Sequence, residues 1–449
     1  MSRPTRFKTK AGICCTALSA LLCTPALASD ARSIALGGSV IANGHGVHGA
    51  VENPASLMAM KRRQEGFHFR IGFAMELRDT GDAIDTLTDA DNDDLIDDIE
   101  NEIDILSQSQ IQCDPLFGSG GDTCVDNTMA VSDLSGRLLD ILDTVDDETI
   151  DGQATLDMGV AFTDKTWPMA VNLRLSGTAA GTPDIAEGDR GYISEFQDLL
   201  GDNVLTLDEA RNSSFLQVQQ ASPVDIPTFD VGQPEDVLRS EAQGAGLARA
   251  QLGISFARSF KVGNYIVDAG VTPKISSLIA YDVAIRVQDE FNNTTESIQD
   301  RLEDSEVTDS SFTFDVGAST SLPTAMPIRV AAVVRNVISE SIKTENNYEF
   351  ETTPQLIVGA LYQKGKLSLS GDLALNESKV DNFNTQKMGI GVEFGTRKFA
   401  VRGGISSDSA RESDATSFSL GFGLGPLQVG ARLTSLDALE AGAQLAYSF

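Results

Sequence analysis

Beyond its first 28 residues the 449-residue chain has no apolar run of about 18 residues, the length a helix needs to cross a membrane, so any spanning has to be done by strands. Histidine is almost missing: His45, His48 and His68 are the full set, and none follows position 68. A barrel-borne hydrolase needs a nucleophile with a histidine or acid partner at its rim, and His45 and His48 sit among glycines without a third ligand nearby. The pattern argues against an enzyme. Basic residues are scarce as well, 34 Lys and Arg against 65 Asp and Glu for a net charge of -31, which excludes nucleic acid as a partner. That acid attracts divalent cations or simply keeps long loops solvated. Cys-x-x-Cys is absent, so a dithiol redox enzyme is not expected.

The chain opens with an export signal. Arg3, Arg6, Lys8 and Lys10 form a basic region, Ala11 to Leu22 an apolar core, and Ala26-Leu27-Ala28 a small-x-small cleavage site, so the mature chain is expected to start at Ser29. Lipidation at Cys23 would want a small residue before it, and Leu22 is not small. Losing the four basic residues of the signal takes the charge from -31 to about -35. Cys14, Cys15 and Cys23 leave too, and the surviving Cys113 and Cys124 are expected to close a loop by a disulfide worth about 2–3 kcal/mol.

Alternation with a period of two runs through the rest. At the C-terminus Ala443, Leu445, Tyr447 and Phe449 fall on one face, with Gln444 and Ser448 on the other. Phe67, Phe69, Ile71, Phe73, Met75 and Leu77 repeat the pattern, and so do segments starting near Leu156, Met169, Leu252, Phe312, Ile328, Leu356, Leu367, Met388, Phe399, Phe418 and Leu427. With Tyr265 to Val287 read as one long strand, bent at Pro273, the count is fourteen. The linkers alternate between long and tight, as in outer-membrane barrels with external loops and short periplasmic turns. The expected fold is therefore all-β: a transmembrane antiparallel β-barrel of about 14 strands over residues 64–449, in the outer membrane of a Gram-negative bacterium. Its partners are then outer-membrane lipid and lipopolysaccharide. Inward positions carry many glycines, among them Gly159, Gly317, Gly389, Gly391, Gly421 and Gly430, which leave room inside or relieve crowding in the wall. Arg70, Arg174, Arg335, Arg402 and Arg432 are expected to line the lumen or hold an internal segment.

The first long loop, residues 78–155, reads as a helical insertion, with apolar stripes at Leu95, Ile96, Ile99, Ile103 and Leu106 and at Leu134, Leu138, Leu139, Ile141, Leu142 and Val145. A disulfide-clamped helical hairpin over the mouth follows from the cysteines between them. Asp89 to Glu100 matches most of a twelve-residue calcium loop: Asp89, Asp91 and Asp93 supply side chains, Leu95 its carbonyl, Asp97 a direct or water-borne ligand and Glu100 both carboxylate oxygens. Asp94 stands where that loop needs glycine, and an acidic helix N-terminus explains the same residues. Calcium is the sole cofactor the sequence suggests.

Ala31-Arg32-Ser33-Ile34-Ala35-Leu36-Gly37-Gly38, followed by Asn53-Pro54-Ala55-Ser56-Leu57, resembles the opening of the TraF-like conjugal transfer protein family of outer-membrane barrels. It is also similar to the wider long-chain fatty-acid transporter (FadL-like) group, in which the segment before the first strand plugs a fourteen-stranded barrel. The resemblance implies an N-terminal plug over residues 29–63 that includes Gly37, Gly38, Asn53 and Pro54. The expected function is a plugged outer-membrane channel for uptake of a small hydrophobic molecule. The rival is a structural or docking barrel for a surface, secretion or conjugal-transfer partner. A secreted soluble β-protein is a third reading, and the sequence leaves the oligomeric state open.

Overall fold

A computed structural model describes residues 30–44, 46–64, 66–79, 86, 121–146, 148–163, 167–201, 216–219, 228–231, 239–286, 301–302, 304–324, 326–381, 383–396, 398–410, 416–434 and 438–448. Fourteen strands close into one antiparallel barrel. In chain order they are β1 (Phe67–Asp79), β2 (Ile150–Phe162), β3 (Met169–Asp184), β4 (Glu241–Val262), β5 (Tyr265–Arg286), β6 (Val307–Ser321) and β7 (Ile328–Arg335). The ring continues through β8 (Gln355–Lys364), β9 (Leu367–Ala374), β10 (Lys387–Gly395), β11 (Phe399–Asp408), β12 (Thr416–Leu424), β13 (Leu427–Thr434) and β14 (Ala438–Ser448). Neighbours in sequence are neighbours in the wall, and β14 pairs with β1 from His68↔Ser448 to Arg78↔Ala438. Closure leaves no sheet edge to present unpaired backbone to lipid.

The two faces of the wall differ as the period-two pattern requires. On β12, Phe418, Leu420 and Phe422 are 62%, 68% and 55% exposed, while Ser417 and Ser419, which alternate with them, are buried. The apolar face is the outer one. Core-like packing lies inside the ring, where polar and small side chains of the strands meet the N-terminal segment.

At one pole β4–β5, β8–β9 and β12–β13 close in two-residue turns, and the last two show why. Leu424↔Leu427 and Lys364↔Leu367 close their hairpins, and the first turn residue, Gly425 or Gly365, has φ of 57° or 63°. A positive φ at that position is what glycine supplies in a hairpin turn of the II′ kind, whose twist matches the strands. Both ends of the barrel, Phe67 and Ser448, lie at this short-turn pole.

β5 is one unbroken strand, as the sequence suggested. Its ladder to β4 holds from Glu241↔Arg286 to Gly253↔Lys274 and resumes at Phe256↔Val271, so the interruption falls opposite Pro273, which has no N–H to give. β2, β3 and β4 run further toward the long-loop pole than their apolar alternation reveals; β4 alone covers 22 residues. The first-loop insertion is accordingly shorter than residues 78–155, because β1 ends at Asp79 and β2 begins at Ile150.

Helix α4 (Gly121–Val145) carries the expected stripe; its described partner is α5 (Glu187–Gly201) from the next long loop. Ser132 Oγ donates to the Gln197 carbonyl at 3.3 Å, and Arg190 of α5 pairs with Asp146 just past α4. The stripe at residues 95–106 lies outside the described residues, and with it the pairing of the two stripes expected from sequence.

If the outer face meets lipid, Leu420→Arg places a guanidinium in mid-wall hydrocarbon and costs about 2–4 kcal/mol. The cost is read as a lowered urea midpoint of the barrel folded in bilayers. An unchanged midpoint contradicts lipid contact.

Candidate functional site

The interior is built around residues 30–63. Asp30 caps α1 (Ala31–Ala35) by accepting from the Ser33 N–H at 2.6 Å. The helix ends in a paired-bond C-cap: Gly37 N–H donates to Ile34 O at 3.1 Å and Gly38 N–H to Ser33 O at 2.9 Å. Such a cap needs a left-handed residue, and Gly37 provides φ 62°. After α2 (Gly46–Glu52), Asn53 accepts from Ala55 N–H at 3.0 Å and donates to Ile41 O at 3.3 Å, with Pro54 at the first helical position of the turn that follows. α3 (Leu57–Arg62) completes the segment, with Leu57 and Met60 fully buried.

This segment lies against inward-facing glycines. A Cβ added at Gly391 of β10 would stand 2.6 Å from both Leu36 O and Ser39 Oγ, and one at Gly404 of β11 would stand 2.5 Å from the Leu36 carbonyl carbon. Gly421 and Gly430 face Ala35 and Ala31 in the same way, and Gly270 and Gly317 receive Pro54 and Asn53. All of these approaches are closer than any side chain allows. Around them Val47, Ala50, Leu57 and Met60 pack on Ala161, Ala170 and Ala257, while Ile41 and Ala42 pack on Val333, Ile357 and Leu361.

Ion pairs fix the remainder. Arg70 of β1 reaches Asp30 at 3.2 Å and Asp157 at 2.9 Å, and Arg174 of β3 shares Asp157 at 3.1 Å. Arg335 of β7 pairs with Glu52, and Arg402 of β11 holds Glu393 at 2.6 Å together with Arg32 of α1 at 3.1 Å. Arg432 differs: it pairs with Glu440 on the adjoining strand. Of the five arginines named from sequence, Arg70 and Arg335 bond the segment directly, Arg402 does so through Glu393, Arg174 is linked to it by way of Asp157 and Arg70, and Arg432 stays within the wall. Burial would raise the Asp30 carboxyl, but the neighbouring His48 (2.8 Å) and Arg70 hold it well below the usual carboxylate range. Glu52 is lowered against the same burial effect by Arg335, then by His48.

Sequence reasoning missed three carboxylates that complete the site. Glu393 joins Arg32 to Arg402, Asp372 of β9 accepts from Ile41 N–H at 2.8 Å and Val40 N–H at 2.5 Å, and Asp30 is the shared partner of His48 and Arg70. The alternation of Asp372 and Glu393 on the inner face was visible in the sequence; their partners in residues 32–41, more than 300 residues away, were not.

A second layer closes the long-loop pole. The hairpin Glu340–Lys343 with Glu349–Thr352 buries Ile342 and Phe350 against Leu247, Leu278 and Ala280. The hairpin Ser378–Val380 with Phe383–Thr385 ends on Asp381, which bonds Arg249 of β4 at 2.5 Å. Between this layer and residues 30–63 is a cavity of about 240 Å³ whose lining includes Glu52, Arg174, Lys274, Asp315, Arg335 and Asp372. A second cavity, about 390 Å³, lies at the short-turn pole beside Asp30, Arg32, His48 and Arg402.

Asp89, Asp91, Asp93, Leu95, Asp97, Glu100 and Cys113 lie outside the described residues, as does His45; Cys124 falls on α4. No group of three or more His, Cys, Asp or Glu able to hold a metal occurs among the described residues.

Two glycine substitutions separate seating from wall tolerance. Gly391→Leu is expected to expel Leu36 from its seat and lower the unfolding temperature of the purified barrel by several degrees. Gly371→Leu on the outer face of β9, where a Cβ meets nothing nearer than 3.6 Å, is expected to be near neutral. Equal effects contradict an interior seat.

No curated protein sequence matches this chain. Among solved structures it is similar to the P. putida toluene transporter TodX (9% identity, 95% of this chain and 99% of that one, TM-score 0.45). It is also similar to the Ralstonia pickettii toluene transporter TbuX (12% identity, 95% and 98%, TM-score 0.43). Residues 50–373, most of the length, match the family described as F plasmid transfer operon, TraF, protein, and the chain belongs to that family.

Proposed function

We propose that the protein is an outer-membrane channel kept shut by residues 30–63, which serve as a displaceable plug for the passage of a small hydrophobic molecule. The observation that carries this reading is the manner of seating: the segment rests on bare backbone at Gly391 and Gly404 and is tied by exchangeable ion pairs such as Arg335–Glu52. A purely structural core needs no glycine bed, since ordinary side chains fill an interior as well. Where backbone rests on bare glycine no wall side chain has to be cleared, and Val47, Leu57 and Met60 pack on small alanines, so the segment can leave and return. Lipopolysaccharide resists apolar solutes, which gives such a path its use, and the opening motif resembles the fatty-acid transporter group.

The charged lining of the 240 Å³ cavity makes a straight apolar descent costly, so a hydrophobic cargo requires the hairpin layer and the plug to move together or an exit at the wall. Among the described ladders of the wall, β4–β5 is the one interrupted within its length, opposite Pro273. A docking barrel for a surface, secretion or conjugal-transfer partner is the second reading. It is favoured by the packing of α4 on α5 beyond the strands, which builds a helical platform at the long-loop pole.

Ser39 Oγ of the plug and Ser370 Oγ of β9 are 2.9 Å apart, close enough for a disulfide after Ser39→Cys with Ser370→Cys. The oxidised double variant is expected to lose uptake of labelled fatty acids, alkanes or monoaromatic hydrocarbons, and reduction restores it. Uptake indifferent to oxidation, or equal in cells with and without the gene across that panel, overturns the channel. Recovery of a specific protein on the α4–α5 platform, with liposomes left impermeable, supports docking instead.

A further inference from the structure

The outer face of the wall carries one charge out of place. Along the outward row of β4, Leu252, Ile254, Phe256, Phe260 and Val262 are apolar, and Arg258 stands exposed between the two phenylalanines. In the outward rows of the other thirteen strands no Asp, Glu, Lys or Arg has an apolar neighbour on both sides of it. Phe256 pairs with Met169, the first residue of β3, and the Ala257 N–H donates to the Pro168 carbonyl at 3.4 Å. Arg258 thus lies at the rim, just past the β2–β3 turn of the short-turn pole. A guanidinium that is costly at mid-wall is tolerated there, because the cost falls away toward the membrane interface.

Two rings hold this cation. Its Cζ lies 5.2 Å from the ring centroid of Trp167 in the adjoining turn and 5.9 Å from that of Phe260, and both rings are exposed. Aromatic faces attract a cation, and tryptophan favours the boundary between lipid and water. Among the described residues no carboxylate pairs with Arg258. Its N–H edges are left for an acceptor outside the chain, and the guanidinium keeps its charge at every physiological pH.

The surroundings select the sign of that acceptor. The tight connections of this pole, residues 163–168, 257–264, 319–327, 363–366, 395–398 and 425–426, contain seven Lys or Arg and a single acid, Asp164, in a chain with 34 basic against 65 acidic residues. The pole is basic although the chain is strongly acidic. We propose that Arg258, between Trp167 and Phe260, is a docking site for the phosphate of an anionic phospholipid in the leaflet at the short-turn pole. The guanidinium fork donates to two phosphate oxygens at once, and exposed Phe256, further into the wall, lies along the acyl chain. A zwitterionic lipid offers the same phosphate but brings an ammonium group, which the basic turns repel. The site rests on contact of the wall with lipid and is independent of the transport reading.

Trp167 is the single tryptophan of the chain, so tryptophan fluorescence reports on this site alone. The purified full-length barrel is placed in phosphatidylcholine vesicles containing an equal fraction of either phosphatidylglycerol or phosphatidylcholine brominated near the headgroup, and quenching is measured against unbrominated vesicles. Phosphatidylglycerol is expected to quench as a ligand bound about five-fold more tightly, the factor that one basic residue near an anionic surface supplies. Arg258→Gln is expected to remove most of that preference, whereas Lys398→Gln, in the β10–β11 turn, leaves it in place. The heat-modifiable gel shift checks that both variants fold, and the comparison of the two lipids on the unaltered chain needs neither. Equal quenching by the two lipids overturns the site. Equal loss of the preference in the two variants also overturns it, because the diffuse charge of the pole then suffices.

Discussion

The close approach between the backbone of residues 31–55 and the bare inner wall is the contact on which the rest of the structure depends. A fourteen-stranded ring is too wide for its own short inward side chains to fill, and an unfilled interior is either water or a cost in lost dispersion. Glycine at Gly391, Gly404, Gly421 and Gly430 lets helix α1 and its C-cap lie directly on the strands. The apolar positions that remain inward, such as Ile357 and Leu361, then meet Ile41 and Ala42. The same arrangement leaves large apolar side chains such as Phe418, Leu420 and Phe422 for the outer face.

The charges inside the ring follow from the same geometry. Ionised groups in a low-dielectric interior persist only when paired, and the observed pairs link pieces far apart in the chain: Arg32 to Glu393, Arg335 to Glu52, Arg249 to Asp381. Each pair joins a helix or a loop hairpin to a strand of the wall. Removing one member leaves a buried charge, which makes these contacts more decisive for position than for net stability. The two closures are therefore of one kind. Residues 30–63 and the hairpins at the long-loop pole are both held by side chains on strands that stay put.

The ring was legible because its signal is long and redundant. Alternation recurs through every strand, the loop lengths repeat as a second check, and Pro273 marked the one irregular ladder. Strand ends were less legible: past the apolar belt, β3 and β4 continue as Ser176-Gly177-Thr178 and Glu241-Ala242-Gln243, where large apolar side chains no longer mark a period. Helix α5 had a readable signal in Glu187, Asp189, Tyr192, Ile193 and Phe196, acidic first and then apolar at helical spacing, beside the stronger stripe of α4. Asn53-Pro54 was visible as a rigid turn, but the wall positions that receive it, Gly317 and Gly270, were beyond any local pattern. Glu393 and Arg32 are 361 residues apart, and their sharing of one site is a property of the closed ring alone.

The central claim is that residues 30–63 sit inside the ring as part of the folded body, and hydrogen exchange of the barrel in lipid nanodiscs tests it most directly. Backbone amides with interior partners, such as Ile34, Gly38, Ile41 and Asn53, are predicted to exchange as slowly as those of the neighbouring strands β10 and β11. Exchange of the whole segment at the rate of a free peptide, while the strands remain protected, would contradict the account.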